Sequence, residues 1–307
     1  RRAGQCAGCP VTTRNPGEVN VGRARTAVSG GALNGELPAD LRPALLKALH
    51  ILTRDGTLNA DSRRKLKQVL HLLNLLEPAM RGMMAGPEPP TLVDCGAGKG
   101  YLGFLLGERF LRPAGRGTII NVESRPELCQ RARVLAGELG LPGVVFVEGR
   151  VAEAVLPTRV DLVTALHACD TATDDALVAA ITTGAHHVAV VPCCQAEVAR
   201  QLKEAPRSSA AWHALHDHPI HRREFGAHLT NVIRALVLES TGYQVTVTEL
   251  VGWEHSLKNE LILGRRVQKD VRAPRERLGE RVRATGAYPS VLRVLVERGM
   301  LPDLRAV

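Results

Sequence analysis

An α/β fold on a mostly parallel sheet, with helical extensions before and after it, is predicted by three observations in this 307-residue chain. From residue 91 onward, short apolar runs alternate with longer stretches of helical periodicity. The runs 91–94, 118–123, 144–148, 161–166 and 187–191 are nearly continuous in apolar residues, as parallel strands buried on both faces are. The first run ends in an acid and opens into Asp94-Cys-Gly-Ala-Gly-Lys-Gly-Tyr-Leu-Gly103. Strand, glycine turn and helix in that order make a site where backbone passes close to a ligand.

The elements follow along the chain. Residues 1–37 are rich in Gly, Arg, Asn and Thr without periodicity, which predicts a mobile basic arm. Residues 38–90 form a helical N-terminal extension. Leu41, Leu45, Leu46, Leu49 and Leu52 share one helical stripe over 39–53. Leu66, Val69, Leu70, Leu73 and Leu76 share a second, which Asp61 can cap. Arg63, Arg64, Lys65 and Lys67 crowd the first turns of that helix, against its dipole. Pro78 is expected to kink or end it. Pro87, Pro89 and Pro90 mark the boundary of a ligand-binding domain over 91–265. Its helices are predicted at 101–111, at 171–183, at 225–241, and from Ser124 as cap, with Pro126 in the first turn, to Gly140. Two further strands are expected at 244–249 and 260–264. The basic tail 266–307 carries two helices, about 274–285 and 289–299.

Composition bounds the function. Hydrophobic residues make up 45% of the chain, enough for a sizeable core. No run of about 18 apolar residues predicts a membrane span, and Arg1-Arg2-Ala-Gly-Gln leads into no apolar signal core. Seven scattered cysteines fit reduced thiols in the cytoplasm better than a disulfide framework. Cys6-Ala-Gly-Cys9 has metal-knuckle spacing, but no second CxxC or His pair completes four ligands, so no metal is assigned. The net charge of +9 is unevenly spread: +6 over 1–90, −3 over 91–263 and +6 over 264–307. Basic flanks around a mildly acidic centre point to a polyanionic partner, RNA first. Arg outnumbers Lys 33 to 7, a bias that a GC-rich genome also produces. The chain shows no signal for an oligomeric state.

The glycine stretch has three candidate ligands. Gly98-Lys-Gly-Tyr-Leu-Gly103 matches the dinucleotide pattern GxGxxG. A phosphate-cradling P-loop needs Ser or Thr after the lysine, and Lys99 is followed by Gly100. S-adenosylmethionine is the third. Asp94 ahead of the turn suits a ligand with an ammonium group and would repel a pyrophosphate. Glu123 ends the second strand, where an acid accepts hydrogen bonds from ribose hydroxyls; capping the following helix is its bland alternative.

With these residues in view, Asp94-Cys-Gly-Ala-Gly-Lys-Gly resembles the first motif of class I S-adenosylmethionine-dependent methyltransferases. His167-Ala-Cys-Asp170 and Pro192-Cys-Cys-Gln195 narrow the resemblance. Together they resemble a methyltransferase-like group that stands alone in bacteria and is fused in animals to a glutathione-transferase C-terminal-like domain. Transfer-RNA 2′-O-methyltransferases carry a comparable glycine motif and Pro-Cys-Cys. The resemblance covers roughly 60–265. It implies a class I (Rossmann-like) seven-stranded sheet whose last hairpin strand is antiparallel. S-adenosylmethionine is the implied cofactor, with Asp94, Gly96, Ala97, Gly98, Gly100, Glu123, Ser124 and Leu166 around it. His167 can accept a proton from the attacking group. Asp170 can orient His167, hold the acceptor or cap the helix from Thr171. Cys193 and Cys194 lie on the same rim, either as nucleophile for attack on a pyrimidine ring or as small packed side chains. Lys258 and Asn259 approach that rim as candidate acceptor contacts. The Asn/Asp-Pro-Pro-Tyr motif of amino-methylating enzymes is absent, which speaks against methylation of exocyclic amines. RNA is the expected acceptor; a protein, a small molecule or a non-catalytic RNA-binding role are the alternatives.

Overall fold

Seven strands pair into one sheet in the computed structural model: β1 (Thr91–Cys95), β2 (Thr118–Glu123), β3 (Val144–Glu148), β4 (Leu162–Leu166), β5 (His187–Val191), β6 (Tyr243–Glu249) and β7 (Glu260–Arg266). Their order is β3-β2-β1-β4-β5-β7-β6. β1 to β5 are mutually parallel, and β7 runs antiparallel to both β5 and β6. This is the seven-stranded, class I methyltransferase-like architecture that the strand grammar and the resemblance implied. The structure describes residues 40–53, 60–166, 168, 171–192, 195–204, 217–250, 260–267 and 271–305, all within the unit Leu37–Val307.

Both faces of the sheet are covered, because successive side chains of each strand point to opposite faces and both sets are apolar. Leu92, Ile119, Val144 and Leu162 face one layer. It is made of α1 (Pro43–Ala48), α2 (Ala60–Ala85), α3 (Tyr101–Leu106) and α5 (Pro126–Glu138). α3 continues through a π-helical turn, Gly107–Leu111, into the short α4 (Arg112–Ala114). Val93, Val122, Val163 and Val190 face the opposite layer. That layer is α6 (Thr171–Thr183), α7 (Glu197–Glu204), α8 (Pro219–Ser240), α9 (Arg272–Thr285) and α10 (Ser290–Glu297). Strand order reverses direction between β1 and β4, so a crevice opens at the carboxyl ends of these strands.

Three local expectations are corrected. α2 does not end at Pro78 but runs through it to Ala85. An interior proline costs about 3 kcal/mol. Burial of Leu66, Leu72, Leu73, Leu76 and Met80 on the sheet is worth roughly 1.5–3 kcal/mol each and wins. Ser124 is not the cap of α5. Pro126 takes the first helical position, which makes Arg125 the N-cap, and no side chain caps it. α8 begins at Pro219, six residues before the expected start, again with proline in its first turn.

The N-terminal extension is clasped to α3. Arg42 makes a bidentate pair with Glu108 in the π-helical turn, at 2.6 and 2.7 Å, and its Nη2 also donates to Leu139 O at 2.9 Å. Burial would raise the Glu108 carboxyl, but the hydrogen bonds and charge of Arg42, with Arg112, hold it below the usual carboxylate range.

α3 lies close against β2. A Cβ on Gly103 would overlap the side chain of Asn121, which donates from Nδ2 to Val145 O at 3.0 Å. The last glycine of the GxGxxG pattern therefore serves helix–sheet packing. Gly103→Ala is expected to cost about 1–3 kcal/mol by this overpacking. Adding Asn121→Ala should recover much of the loss. Urea unfolding of the two single variants and the double variant checks both, and additive losses would refute the pairing.

Candidate functional site

The site is built where β1, β2 and β4 end side by side. In register, Asn121 of β2, Asp94 of β1 and Thr164 of β4 form a row of buried polar side chains across the middle of the sheet. Asp94 is 2% exposed and accepts a hydrogen bond from Thr164 Oγ1 at 2.7 Å. Burial pushes its carboxyl up to about 7, and the Thr164 bond offsets part of that. Cys95 follows, and burial, with Asp94 and Asp175 nearby, raises its thiol far from reactivity. The buried Cys129 thiol is raised chiefly by burial too.

The glycine loop then turns over the end of β2. Gly96, Gly98 and Gly100 adopt φ of +67°, +60° and +75°, the left-handed region that glycine enters without penalty. Ala97 N donates to Val122 O at 3.0 Å, and Gly98 N donates to Glu123 Oε2 at 2.7 Å. The loop is thus pinned to β2 by two bonds, one to backbone and one to the acid that ends the strand. At Gly100 the space a Cβ would need is filled by the Phe146 ring.

Glu123 is 4% exposed. Besides Gly98 N, its carboxylate accepts from Arg125 N, Nε and Nη2, at 3.1, 2.7 and 3.3 Å. Burial would raise its pKa, but the Arg125 and Gly98 hydrogen bonds outweigh it and hold the group below the usual range. Ser124 sits beside it, exposed. Leu166 closes β4 half-buried, and Ala168 packs 3.7 Å from the position of a Gly96 Cβ, which brings the loop after β4 against the glycine turn. Thr173 of α6 donates to Ala168 O at 2.7 Å and ties that loop down. Asp94, Gly96, Ala97, Gly98, Gly100, Glu123, Ser124 and Leu166 therefore lie together at one edge. His167, Cys169, Asp170, Cys193, Cys194, Lys258 and Asn259, like Cys6 and Cys9, fall outside the described residues. Among the described residues, no group of three or more His, Cys, Asp or Glu side chains is arranged to hold a metal, and no helix is long and apolar enough to cross a membrane.

The opposite wall rests on a buried network that reading the sequence missed. Gln195, directly after Pro192-Cys-Cys, donates from Nε2 to Asn231 Oδ1 at 3.0 Å. Asn231 Nδ2 donates to Glu260 Oε2, at the start of β7, at 2.8 Å. Asn231 Oδ1 also accepts from Arg234 Nη1 at 3.2 Å. Arg234 in turn pairs with Asp174 of α6 at 2.7 Å, and both side chains are about 1% exposed. The second Asp174 oxygen accepts from Ser290 Oγ at 2.9 Å and Val291 N at 3.3 Å in α10. The available signal was the spacing of Asn231 and Arg234, three apart on the otherwise apolar stretch Leu229-Thr-Asn-Val-Ile-Arg-Ala-Leu-Val-Leu238. Thr164 and Asn121 were legible only as polar letters inside apolar runs.

The arrangement can hold a ligand carrying a hydroxyl pair at Glu123 and a cationic group near Asp94, with backbone N–H and glycine surface between them. Residues 64–201 match a family model described as a methyltransferase domain. The chain is 27% identical over 231 residues to proteins named glutathione S-transferase C-terminal domain-containing protein, from Homo sapiens and from Macaca fascicularis. These alignments cover 69% of this chain and 35% of each relative, so the chain spans about a third of their length. Among solved structures, an Aquifex aeolicus S-adenosylmethionine-dependent methyltransferase is similar with a TM-score of 0.43 and 16% identity, over 74% of this chain and 100% of that one. The magnesium protoporphyrin IX methyltransferase of Synechocystis PCC 6803 gives 0.45 and 13%, over 72% and 94%.

The Asp174–Arg234 pair gives a stability test. Asp174→Ala leaves a buried guanidinium without its carboxylate and is expected to cost about 3–5 kcal/mol. Replacing both partners with apolar residues of similar volume should cost less than Asp174→Ala alone. Denaturant unfolding measures both, and a loss below about 1 kcal/mol in Asp174→Ala would show that the pair is not needed.

Proposed function

We propose that the methyltransferase domain in this chain takes its methyl group from S-adenosylmethionine and delivers it to RNA. The observation that carries the cofactor reading is the pairing of two buried acids, Asp94 and Glu123, on either side of a turn with three left-handed glycines. Glu123 suits the ribose hydroxyls, Asp94 suits the amino acid end, and Gly96 and Gly98 let the adenosyl group lie close to the backbone. When bound, the sulfonium supplies an already activated methyl group, so positioning contributes most of the catalysis. On this reading His167 accepts the proton of the attacking hydroxyl, and Asp170 orients His167 or holds the acceptor. Cys193, Cys194, Lys258 and Asn259 line the acceptor side.

The RNA reading is supported by charge at the same edge. α2 leads into the start of β1, so its first turns, with Arg63, Arg64 and Lys67, lie toward the strands' carboxyl ends. α8 leads into β6, which starts where β5 starts, so its first turns, with Arg222 and Arg223, point to that same end. Cations at helix starts oppose the dipole and are better placed for an incoming polyanion than for the helix. Ser62 Oγ donates to His50 O at 3.2 Å and ties α2 to the end of α1. There a cleft of about 140 Å³ is lined by His50, Lys99 and Arg131 over an apolar floor of Leu49, Leu128 and Leu135. His50 holds φ +54°, which is strained for a residue with a side chain.

Two measurements test these readings. A carboxyl raised to about 7 is protonated below that pH, and an ammonium group binds its ionised form. Affinity for S-adenosylhomocysteine should therefore strengthen as pH rises from 6 toward 7.5 and then flatten. Asp94→Asn should bind at least about tenfold more weakly at pH 7.5, roughly 1.4 kcal/mol, and lose that rise. Calorimetry across the window decides it, and a flat wild-type profile removes Asp94 from this role. For the acceptor, transfer of labelled methyl groups should mark RNA in a cell extract, and RNA affinity should fall steeply with salt. Lys99→Ala and Arg131→Ala should each lower the slope of log affinity against log salt by about one. Label in protein or small molecules with a flat salt response overturns the RNA reading, and RNA binding with no transfer overturns the enzymatic one.

A further inference from the structure

The hydrogen bonds at Glu123 have a consequence for ligand entry. A carboxylate offers about four lone-pair positions. At Glu123 four donors already engage them: Gly98 N and Arg125 Nη2 at Oε2, and Arg125 N and Nε at Oε1. Two of the four come from the guanidinium of Arg125, which reaches the two oxygens with a planar fork. A vicinal diol presents two donors in a similar way and needs those same two positions. The guanidinium also lies over the glycine loop, since a Cβ on Gly98 would sit 3.8 Å from Arg125 Nη2. The Arg125 side chain is 59% exposed, so it can swing into water at little cost, whereas Glu123 is held in place by β2 and the loop.

We infer that Arg125 is a built-in competitor for the ribose-binding carboxylate, and that a nucleoside binds by displacing its fork. This rests on the reading of Glu123 as the ribose acid. It assigns Arg125 a specificity role. A ligand with both ribose hydroxyls replaces both guanidinium bonds, while a ligand lacking them leaves the fork where it is and gains nothing at Glu123. Arg125 also keeps a nearly buried carboxylate ionised and aimed at the crevice, at the expense of affinity.

The test compares adenosine, S-adenosylhomocysteine and 2′,3′-dideoxyadenosine by calorimetry on the full chain and on its Arg125→Ala and Arg125→Met variants. Methionine keeps much of the length of the side chain and removes its donors, so it separates competition from lost packing. Both variants should bind adenosine and S-adenosylhomocysteine about three- to tenfold more tightly than wild type, because the guanidinium fork no longer has to be displaced from Glu123. Affinity for 2′,3′-dideoxyadenosine should not change. Equal or weaker binding of the two diol ligands by variants that melt like wild type overturns the inference, since Arg125 would then contribute to the bound state. An equal gain for the dideoxy ligand overturns it as well, because the effect would not pass through the diol. If wild type and variants alike bind none of the three, the adenosyl reading of Glu123 fails and the inference falls with it.

Discussion

The layer of α6, α8 and α10 depends on one buried ion pair, Arg234 with Asp174. Taking two charges out of water costs several kcal/mol, which is recovered only where every remaining lone pair and proton finds a partner. Here the partners come from elements far apart in sequence: Asn231 on α8, Ser290 and Val291 on α10, and, through Asn231, Gln195 after β5 and Glu260 at β7. Such a pair is weak as a source of stability and strong as a constraint on geometry. α6, which follows the loop after β4, cannot shift against α8 without exposing a charge. α6, which follows β4, and Gln195, which follows β5, are therefore tied to a single polar centre.

The crevice end of the sheet is organised differently. Its ties run between neighbouring strand ends: Thr164 to Asp94, Gly98 to Glu123, Ala97 to Val122. Each acid is tuned in its own direction. Asp94, whose partner is the Thr164 hydroxyl, is pushed up by burial. Glu123, also buried but less deeply, is pulled down by the Arg125 guanidinium and by backbone N–H groups. Two carboxylates beside one loop are thus shifted in opposite directions by how deeply each is buried and by what donates to it.

Much of this was legible in the sequence, and the limits have physical causes. Continuous apolar runs reveal strands of a doubly covered sheet, and all seven appear where the runs are. The glycine loop is legible because φ near +60° leaves glycine as the comfortable residue at 96, 98 and 100. A strand's period of two does not say which polar letter meets which across the sheet, so Asn121 and Thr164 gave no sign of flanking Asp94. Ser124 looked like a cap because serine caps helices, but Pro126 fixed the helix start one residue later. Pro78 looked like a stop because propensity is local, whereas the stripe of leucines burying α2 acts over the whole helix. Arg234 looked like one more basic residue, since nothing local shows that its partner lies 60 residues earlier.

The wiring of Asp174 also bears on the order in which the protein can mature on the ribosome. Synthesis is vectorial, at roughly 5–20 residues per second. Asp174 emerges first of the three, Arg234 follows it by 60 residues, and Ser290 by 116. At those rates the carboxylate waits roughly 6–23 s for its last donors. Until then one oxygen of this acid has only water for a partner. The two bonds that pin the glycine loop to β2, each spanning 25 residues, can form before that. The nascent chain can therefore pin its glycine loop to β2 before the Asp174 network is complete.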